Sequence, residues 1–351
     1  MADRRPEHAA TQRPKVVAVV GPTAVGKTAV AVHLAAELGG EVVSLDSRQM
    51  YRRLDIGTAK PDARERGSAP HHLVDVAEPD EVLTLADVQG MALAAIDDIA
   101  ARGRLPILAG GTGQYVTAVL EGWRIPRVPP DTDLRARLRR EAALGGSDAL
   151  HARLAQVDPI SAERIDRRNV RRVIRALEVH ELTGRPISEL QARQAPPFES
   201  LVIGLFRPRS ELYNRIDRRI DAMLDAGLEE EVRGLLAAGY GFDLPSMSGV
   251  GYGEWSGYFE ASGAEAGGQH AASPAERPDR ITREEVVRLI RRDSRRLARS
   301  QASWFRLSDR RIRWFEVDAD TRREVLREVR RFLTGGPRRE GDATFDMGVE
   351  P

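Results

Sequence analysis

The sequence predicts an α/β fold, a parallel sheet flanked by helices that carries an all-helical insertion, and three observations predict it. Short β-rich runs alternate with helical patterns over the first third of the chain: Val16–Val20, a helix over Lys27–Leu38, Glu41–Leu45, and later Leu105–Leu108 ahead of another helix. Strand, helix, strand in that rhythm needs crossover connections and therefore a parallel sheet. Between the first strand and first helix lies Gly21-Pro22-Thr23-Ala24-Val25-Gly26-Lys27-Thr28, with the Gly-x-x-x-x-Gly-Lys-Thr spacing of a P-loop. The Arg-rich stretch over 130–190 has helical periodicity and no convincing strand, whereas Leu201–Phe206 reads as a strand returning to the sheet. The expected organisation is a P-loop NTPase-like core over 15–129 and 191–333, interrupted by a helical insertion over 130–190. The polar ends, 1–14 and 334–351, read as disordered, and 260–280, rich in Ala, Gly, Ser and Pro, reads as an irregular surface loop.

Composition narrows the function. With 41% hydrophobic residues in a chain of 351 there is enough apolar material for one large core or two smaller ones, which excludes a disordered or fibrous chain. No run approaches the roughly 20 apolar residues of a membrane span, and the N-terminus, with Arg4, Arg5, Glu7 and His8, lacks an apolar signal core. A cytoplasmic, monomeric protein without membrane contact is the expectation. Zero cysteines exclude disulfides, a thiol nucleophile and Cys-based zinc or iron-sulfur sites, and the seven histidines form no HExxH pair. His71 and His72 are adjacent, so they point opposite ways on a strand and read as structural. Lys15, Lys27 and Lys60 are the only lysines among 54 basic residues. Where arginine serves nearly everywhere, a remaining lysine marks a place that needs a compact ammonium.

The P-loop supplies the first chemistry. Its glycines let backbone amides fold around phosphate oxygens, the following helix N-terminus adds positive potential, Lys27 neutralises charge, and the Thr28 hydroxyl is placed to hold Mg2+. ATP is the prior ligand of such a loop, although the motif does not choose among phosphate compounds. Asp46 ends the second strand beside the loop, where open α/β sheets bind ligands. A carboxylate there serves as a general base or ligates a metal-bound water. The turn Gly110-Gly111-Thr112-Gly113 brings the Thr112 hydroxyl to the same sheet edge.

Two arginine stripes point to a polyanion. Arginines at 164, 167, 168, 171, 172 and 175, and at 288, 291, 292, 295, 296 and 299, follow the three-four spacing of one helix face. Each stripe has one internal acid, Asp166 or Asp293, so neither reads as neutralised, and such faces suit a nucleic-acid backbone. Trp304 and Phe305 after the second stripe add faces that stack on unpaired bases. A P-loop kinase accounts equally well for the first 115 residues but leaves the stripes without a role, and a noncatalytic RNA-binding NTPase leaves Asp46 and Thr112 idle.

In its ordered motifs the chain resembles the bacterial-type tRNA dimethylallyltransferases, or tRNA isopentenyltransferases. The matching segments are GPTAVGKT at 21–28, DSRQMY at 46–51, DIGTAKP at 55–61, PHHLVD at 70–75, GGTGQY at 110–115, RRVIRALEV at 171–179, GVGYGE at 249–254 and RSQASWFR at 299–306. The resemblance implies transfer of a dimethylallyl group from its diphosphate to N6 of the adenosine just 3′ of the anticodon, so the P-loop would hold a prenyl diphosphate rather than ATP. It implies Asp46 as general base, Thr112 as its neighbour at the reaction centre, and Arg219 with Lys27 as a clamp on diphosphate held over Gly21–Thr28. It also implies tRNA contacts from Asp46, Ser47, Arg48, Gln49 and Thr112, from Arg171, Arg172, Val173, Ile174 and Arg175, from Ser248, Gly249, Val250, Gly251, Tyr252 and Gly253, and from Arg299, Gln301, Trp304 and Arg306. The helical insertion would grip the anticodon stem-loop. Three positions depart from the family pattern: Gly253 stands where a basic residue is usual, and Ser300 and Ser303 replace Arg and Thr. The 260–280 loop is longer than usual, and the tail lacks the zinc finger of eukaryotic relatives.

Overall fold

A computed structural model describes residues 13–191, 193–260 and 281–335. In chain order the elements are β1 (Lys15–Val20), α1 (Lys27–Leu38), β2 (Gly40–Ser44), α2 (Ala63–Ser68), β3 (His71–His72), α3 (Leu85–Ala101), β4 (Leu105–Gly110), α4 (Gly113–Leu120), α5 (Thr132–Val157), α6 (Pro159–Arg164), α7 (Val170–Thr183), α8 (Ile187–Leu190), β5 (Glu199–Phe206), α9 (Arg209–Asp225), α10 (Leu228–Ala237), α11 (Ser256–Glu260), α12 (Arg283–Trp304), β6 (Ile312–Glu316) and α13 (Thr321–Leu333). The ends expected to be disordered, apart from residues 13, 14, 334 and 335, lie outside the described residues, as does the expected loop at 261–280. No helix among the described residues is long and apolar enough to cross a membrane.

The chain divides into two units. One comprises the described residues up to Thr84, Val88–Val116, and everything from Pro197 onward; the other comprises Leu85–Asp87 and Thr117–Pro196. The first unit is a six-stranded, all-parallel sheet in the order β3-β2-β4-β1-β5-β6, flanked by helices. β1 sits in the middle, with Val17 opposite both Ile107 of β4 and Leu201 of β5. Val16 to Val20 are all fully buried, which is why the strand reads as a continuous apolar run: helices cover both of its faces. Two strands escape the sequence patterns. β3 is only two residues long, and β6 interleaves Arg313 with Trp314 and Phe315 at the sheet edge.

Lys15, Lys60, His71 and His72 of this unit have structural partners, His71 Nδ1 lying 2.8 Å from the Ala69 carbonyl. Lys15 Nζ donates to the carbonyls of Phe332 and Leu333, 2.9 Å each, closing the orphan C-terminal carbonyls of α13. Lys60, with 3% of its side chain exposed, bridges Asp55 at 2.7 Å and Asp75 at 2.6 Å. His72 Nε2 lies 2.7 Å from Glu41, a buried carboxylate that Arg102 and His72 hold down to about 2. His71 and His72 thus stay structural.

The second unit is helical, α5 to α8 packing around Leu138, Leu154, Val173 and Leu177, with α5 kinked at Gly146. The stretch expected to be helical, 130–190, lies inside it. Its arginine stripe is not one helix face: α6 ends at Arg164 and α7 starts at Val170, where the Asn169 side chain accepts the Arg172 amide. The break follows from the Asn cap, which satisfies the first amides of a new helix. Arg167 pairs with Asp148, and Arg175 with Glu178 at 2.7 Å and with the Val128 carbonyl at 3.0 Å.

The second stripe lies on the continuous α12, and acids from α9 pair with two of its arginines. Arg295 meets Asp217 at 2.5 Å and Arg291 meets Asp221, while Arg292 pairs with its neighbour Asp293 and Arg288 with Glu285. Counting acids within the stripe misses partners from the helix packed against it, so the expectation of an unneutralised face is corrected for Arg291 and Arg295, while Arg299 meets the Tyr213 hydroxyl and not an acid.

Candidate active site

The site begins where β1 ends. Gly21 has φ 144°, and a Cβ there would stand 2.5 Å from the Leu205 carbonyl, so only glycine lets the chain turn between β1 and β5. The loop then delivers α1, which starts without a side-chain cap and so leaves its first amides for an anion. Lys27 Nζ folds back to the Pro22 carbonyl at 2.8 Å. Asp46 follows β2, its Oδ1 accepting the Arg48 amide at 2.9 Å. Thr112, in the turn after β4, accepts the Ser47 amide at 3.1 Å, so the turns after β2 and β4 are pinned together.

These segments surround one cavity of about 740 Å³ within the first unit. Its wall carries Thr23, Ala24, Gly26, Lys27 and Thr28 of the P-loop, Asp46 to Gln49, Thr112, Arg219, Ser248 to Gly251, Gln301 and Trp304. Burial pushes the Lys27 ammonium down to about 8; Asp46 opposes that shift and Arg219 adds to it. Burial also lowers Arg219, again with Asp46 acting the other way. Lys27 and Arg219 are desolvated cations that the wall's carboxylates, Asp46, Asp62 and Glu65, compensate only in part, since both stay lowered, and an anionic ligand beside them relieves that cost. The lining also has an apolar part: Ile216, Ile220 and Met223 from α9 and Ile290 and Leu297 from α12. Trp304 lies over the start of α4, where a Cβ on Gly113 would stand 2.2 Å from the indole; only a bare backbone permits that approach.

Among the described residues no group of three or more His, Asp or Glu could cage a metal ion. The donors on the wall, the Thr28 hydroxyl and the Asp46 carboxylate, fit an ion that keeps most of its ligands as water and phosphate oxygens, as Mg2+ does.

Several expected site residues stand elsewhere. Val173 and Ile174, 0% and 5% exposed, are packing residues of the helical unit, and these two are corrected from contact residues to framework; Arg175, partly exposed, pairs with buried Glu178. Arg171 and Arg172 are exposed on the first turn of α7. Tyr252 is fully buried, its hydroxyl donating to Glu231 at 2.6 Å, so its phenol supports the segment rather than facing a ligand. Pro22 and Val25 serve through the loop's backbone. Gly253 faces an adjoining groove with Arg296 and Ser300, and a Cβ at this position would meet nothing closer than 3.5 Å, so a larger side chain fits there. Arg299 reaches Tyr213 at 3.2 Å, away from the cavity, and Arg306 is exposed beyond α12. Arg48 is fastened to the carbonyls of Pro245 and Ser246, joining the segment after β2 to the 248–251 wall. Gln301 touches the P-loop itself, its Oε1 accepting the Thr23 amide at 2.7 Å.

One supporting residue has no signal in the sequence. The Glu231 carboxylate on α10 accepts the amides of Asp55, Ile56 and Gly57 as well as the Tyr252 hydroxyl. It thereby fixes the loop whose Thr58 carbonyl accepts from Arg219 at 3.4 Å and whose Ala59 carbonyl accepts from Gln49 at 3.1 Å. Glu231→Ala leaves those donors without their acceptor, at a cost of about 2–4 kcal/mol. A thermal melt should fall by roughly 3–5 °C; an unchanged melt would show that the loop holds itself.

A family model described as IPP transferase matches residues 49–308. The tRNA dimethylallyltransferase of Roseiflexus castenholzii is 55% identical over 291 residues, covering 83% of this chain and 89% of the relative. That of Roseiflexus sp. strain RS-1 is 53% identical over 291 residues, covering 83% and 90%. Among solved structures, the full-length tRNA isopentenylpyrophosphate transferase of Bacillus halodurans matches with a TM-score of 0.63 at 39% identity, covering 92% of this chain and 96% of that one.

Proposed function

The chain belongs to the IPP transferase family, and from that premise we propose that it transfers a dimethylallyl group from dimethylallyl diphosphate to N6 of the adenosine 3′-adjacent to the anticodon of tRNA. The observation that carries this reading is a single cavity whose lining joins P-loop residues, Lys27 and Arg219, suited to a diphosphate, to the apolar side chains of Ile216, Ile220, Met223, Ile290 and Leu297, suited to a short branched hydrocarbon. A nucleoside triphosphate has no use for that apolar wall beside its phosphates.

In the reaction the bond from the allylic carbon to the diphosphate oxygen breaks and a bond from N6 forms. The N6 proton passes to Asp46, and diphosphate leaves with its charge held on the cradle. An allylic carbon tolerates positive charge, so stabilising the leaving group is the larger demand. Mg2+, held by Thr28, would supply further charge at the phosphate oxygens. The base must leave the anticodon stack to reach the cavity, and Trp304, 36% exposed on the wall, is an aromatic surface for it. We assign tRNA recognition to Ser47, Ser248 to Gly251 and Trp304 around the cavity, with Arg171 and Arg172 of the helical unit on the anticodon stem-loop. We assign the activity to a monomer and place it in the cytoplasm, where tRNA is found.

The scheme is tested by following diphosphate release with dimethylallyl diphosphate and Mg2+, with and without unmodified tRNA. Release that requires tRNA is expected; release of phosphate from ATP alone would overturn the substrate assignment.

A pH dependence follows from Lys27. Its ammonium is present below about 8 in the free protein and is favoured further once an anion sits beside it. Diphosphate affinity should therefore hold from neutrality to about pH 8 and then fall, by up to about tenfold per pH unit. Calorimetric titration with inorganic diphosphate at about pH 7 and pH 9.5 checks this, and equal affinities would remove Lys27 from the binding reaction.

A further inference from the structure

The P-loop is also held by two arginines from the start of α9 and the residues just before it. Arg207, just before α9, donates from Nε to the Val25 carbonyl at 3.3 Å, and Arg215 on α9 donates from Nε to the Ala24 carbonyl at 2.9 Å. Both line a second, smaller cavity of about 340 Å³; Arg215, like Gly26, also lines the substrate cavity, whereas Arg207 does not. Ala24 has φ 61°, a left-handed conformation that a residue with a side chain seldom keeps unless something outside it holds the peptide. The bond from Arg215 to its carbonyl does that.

Peptide planarity carries the effect across the loop. A trans peptide points its C=O and the next N–H in opposite directions, so turning the Val25 carbonyl toward Arg207 turns the Gly26 amide the other way. The same logic applies at Ala24, where the following amide, that of Val25, reaches the Pro22 carbonyl at 3.4 Å inside the loop. The geometry points to Arg207 and Arg215 as positioning residues that fix the anion-cradling form of the P-loop. Arg207 is itself fixed: it pairs with Glu211, and only 12% of its side chain is exposed. Glu211, Arg215 and Arg219 recur every four residues along α9, so one helix face holds Arg207, braces the loop and supplies Arg219 to the cavity.

This inference rests on the loop being a diphosphate cradle, and the experiment separates the two. Binding of inorganic diphosphate with Mg2+ is measured by calorimetry for the wild type, Arg207→Met, Arg215→Met and Arg215→Lys, with tRNA affinity and melting temperature recorded for each. Each Met variant is expected to bind diphosphate about tenfold more weakly, with tRNA affinity and melting temperature near wild type, and Arg215→Lys, which keeps a donor for Ala24, to recover most of the loss. Arg207 does not line the substrate cavity, so its effect can reach diphosphate only through the loop. Unchanged binding in Arg207→Met would overturn the brace, as would parallel losses of diphosphate binding, tRNA affinity and melting temperature. A wild type that does not bind diphosphate would overturn the cradle and the brace together.

Discussion

Asp46→Ala is expected to reduce the rate of dimethylallyl transfer by about 10²–10⁴-fold while leaving tRNA affinity within about twofold. Asp46 is the carboxylate that stands on the cavity wall with the P-loop and Thr112, and its charge is felt by both Lys27 and Arg219. An N6 amine is a poor nucleophile that must lose a proton as it bonds to carbon, and no other acceptor of comparable basicity is assigned that role. Because Asp46 Oδ1 also receives the Arg48 amide, Asp46→Asn is the companion variant: it keeps that hydrogen bond and loses the base. Single-turnover rates with tRNA binding measured in parallel check the prediction. Wild-type turnover in Asp46→Asn would refute general-base catalysis at this position.

The second large effect is at the leaving group. Lys27→Met and Arg219→Met should each lower the transfer rate by about 10²–10³-fold and raise the KM for dimethylallyl diphosphate. The two cations act on the same diphosphate, so the double variant should lose less than the product of the single losses. Steady-state kinetics at saturating tRNA give both parameters. A change in KM alone would mean that the cations hold the ground state no less tightly than the transition state.

Local signals carried the sequence reading a long way in the first unit. The helix expected over Lys27–Leu38 has those bounds, and β1, β2, β4 and β5 lie within two residues of the expected runs, because each joins a strong periodicity to glycine or turn residues. The P-loop and Asp46 were legible for the same reason: strand ends in a parallel sheet deliver loops to one edge, so order along the chain nearly determines proximity. What stayed hidden depends on partners distant in sequence. Arg291 and Arg295 of α12 look unneutralised until Asp217 and Asp221 of α9 are packed against them. Glu231 resembles any helix-surface acid until a loop from the start of the chain places three amides on it. Val173 and Ile174 lie between arginines in the sequence, yet the 3.6-residue period turns them into the core of the helical unit.

The most direct measurement is mass analysis of nucleosides from unmodified tRNA incubated with the protein, Mg2+ and either dimethylallyl diphosphate or ATP. The account predicts a dimethylallyl mass on one adenosine per tRNA, that adjacent to the anticodon on its 3′ side, with the diphosphate substrate and none with ATP. Unmodified tRNA with ATP consumed would contradict it, and would make the cavity behind Lys27 and Asp46 a nucleotide site.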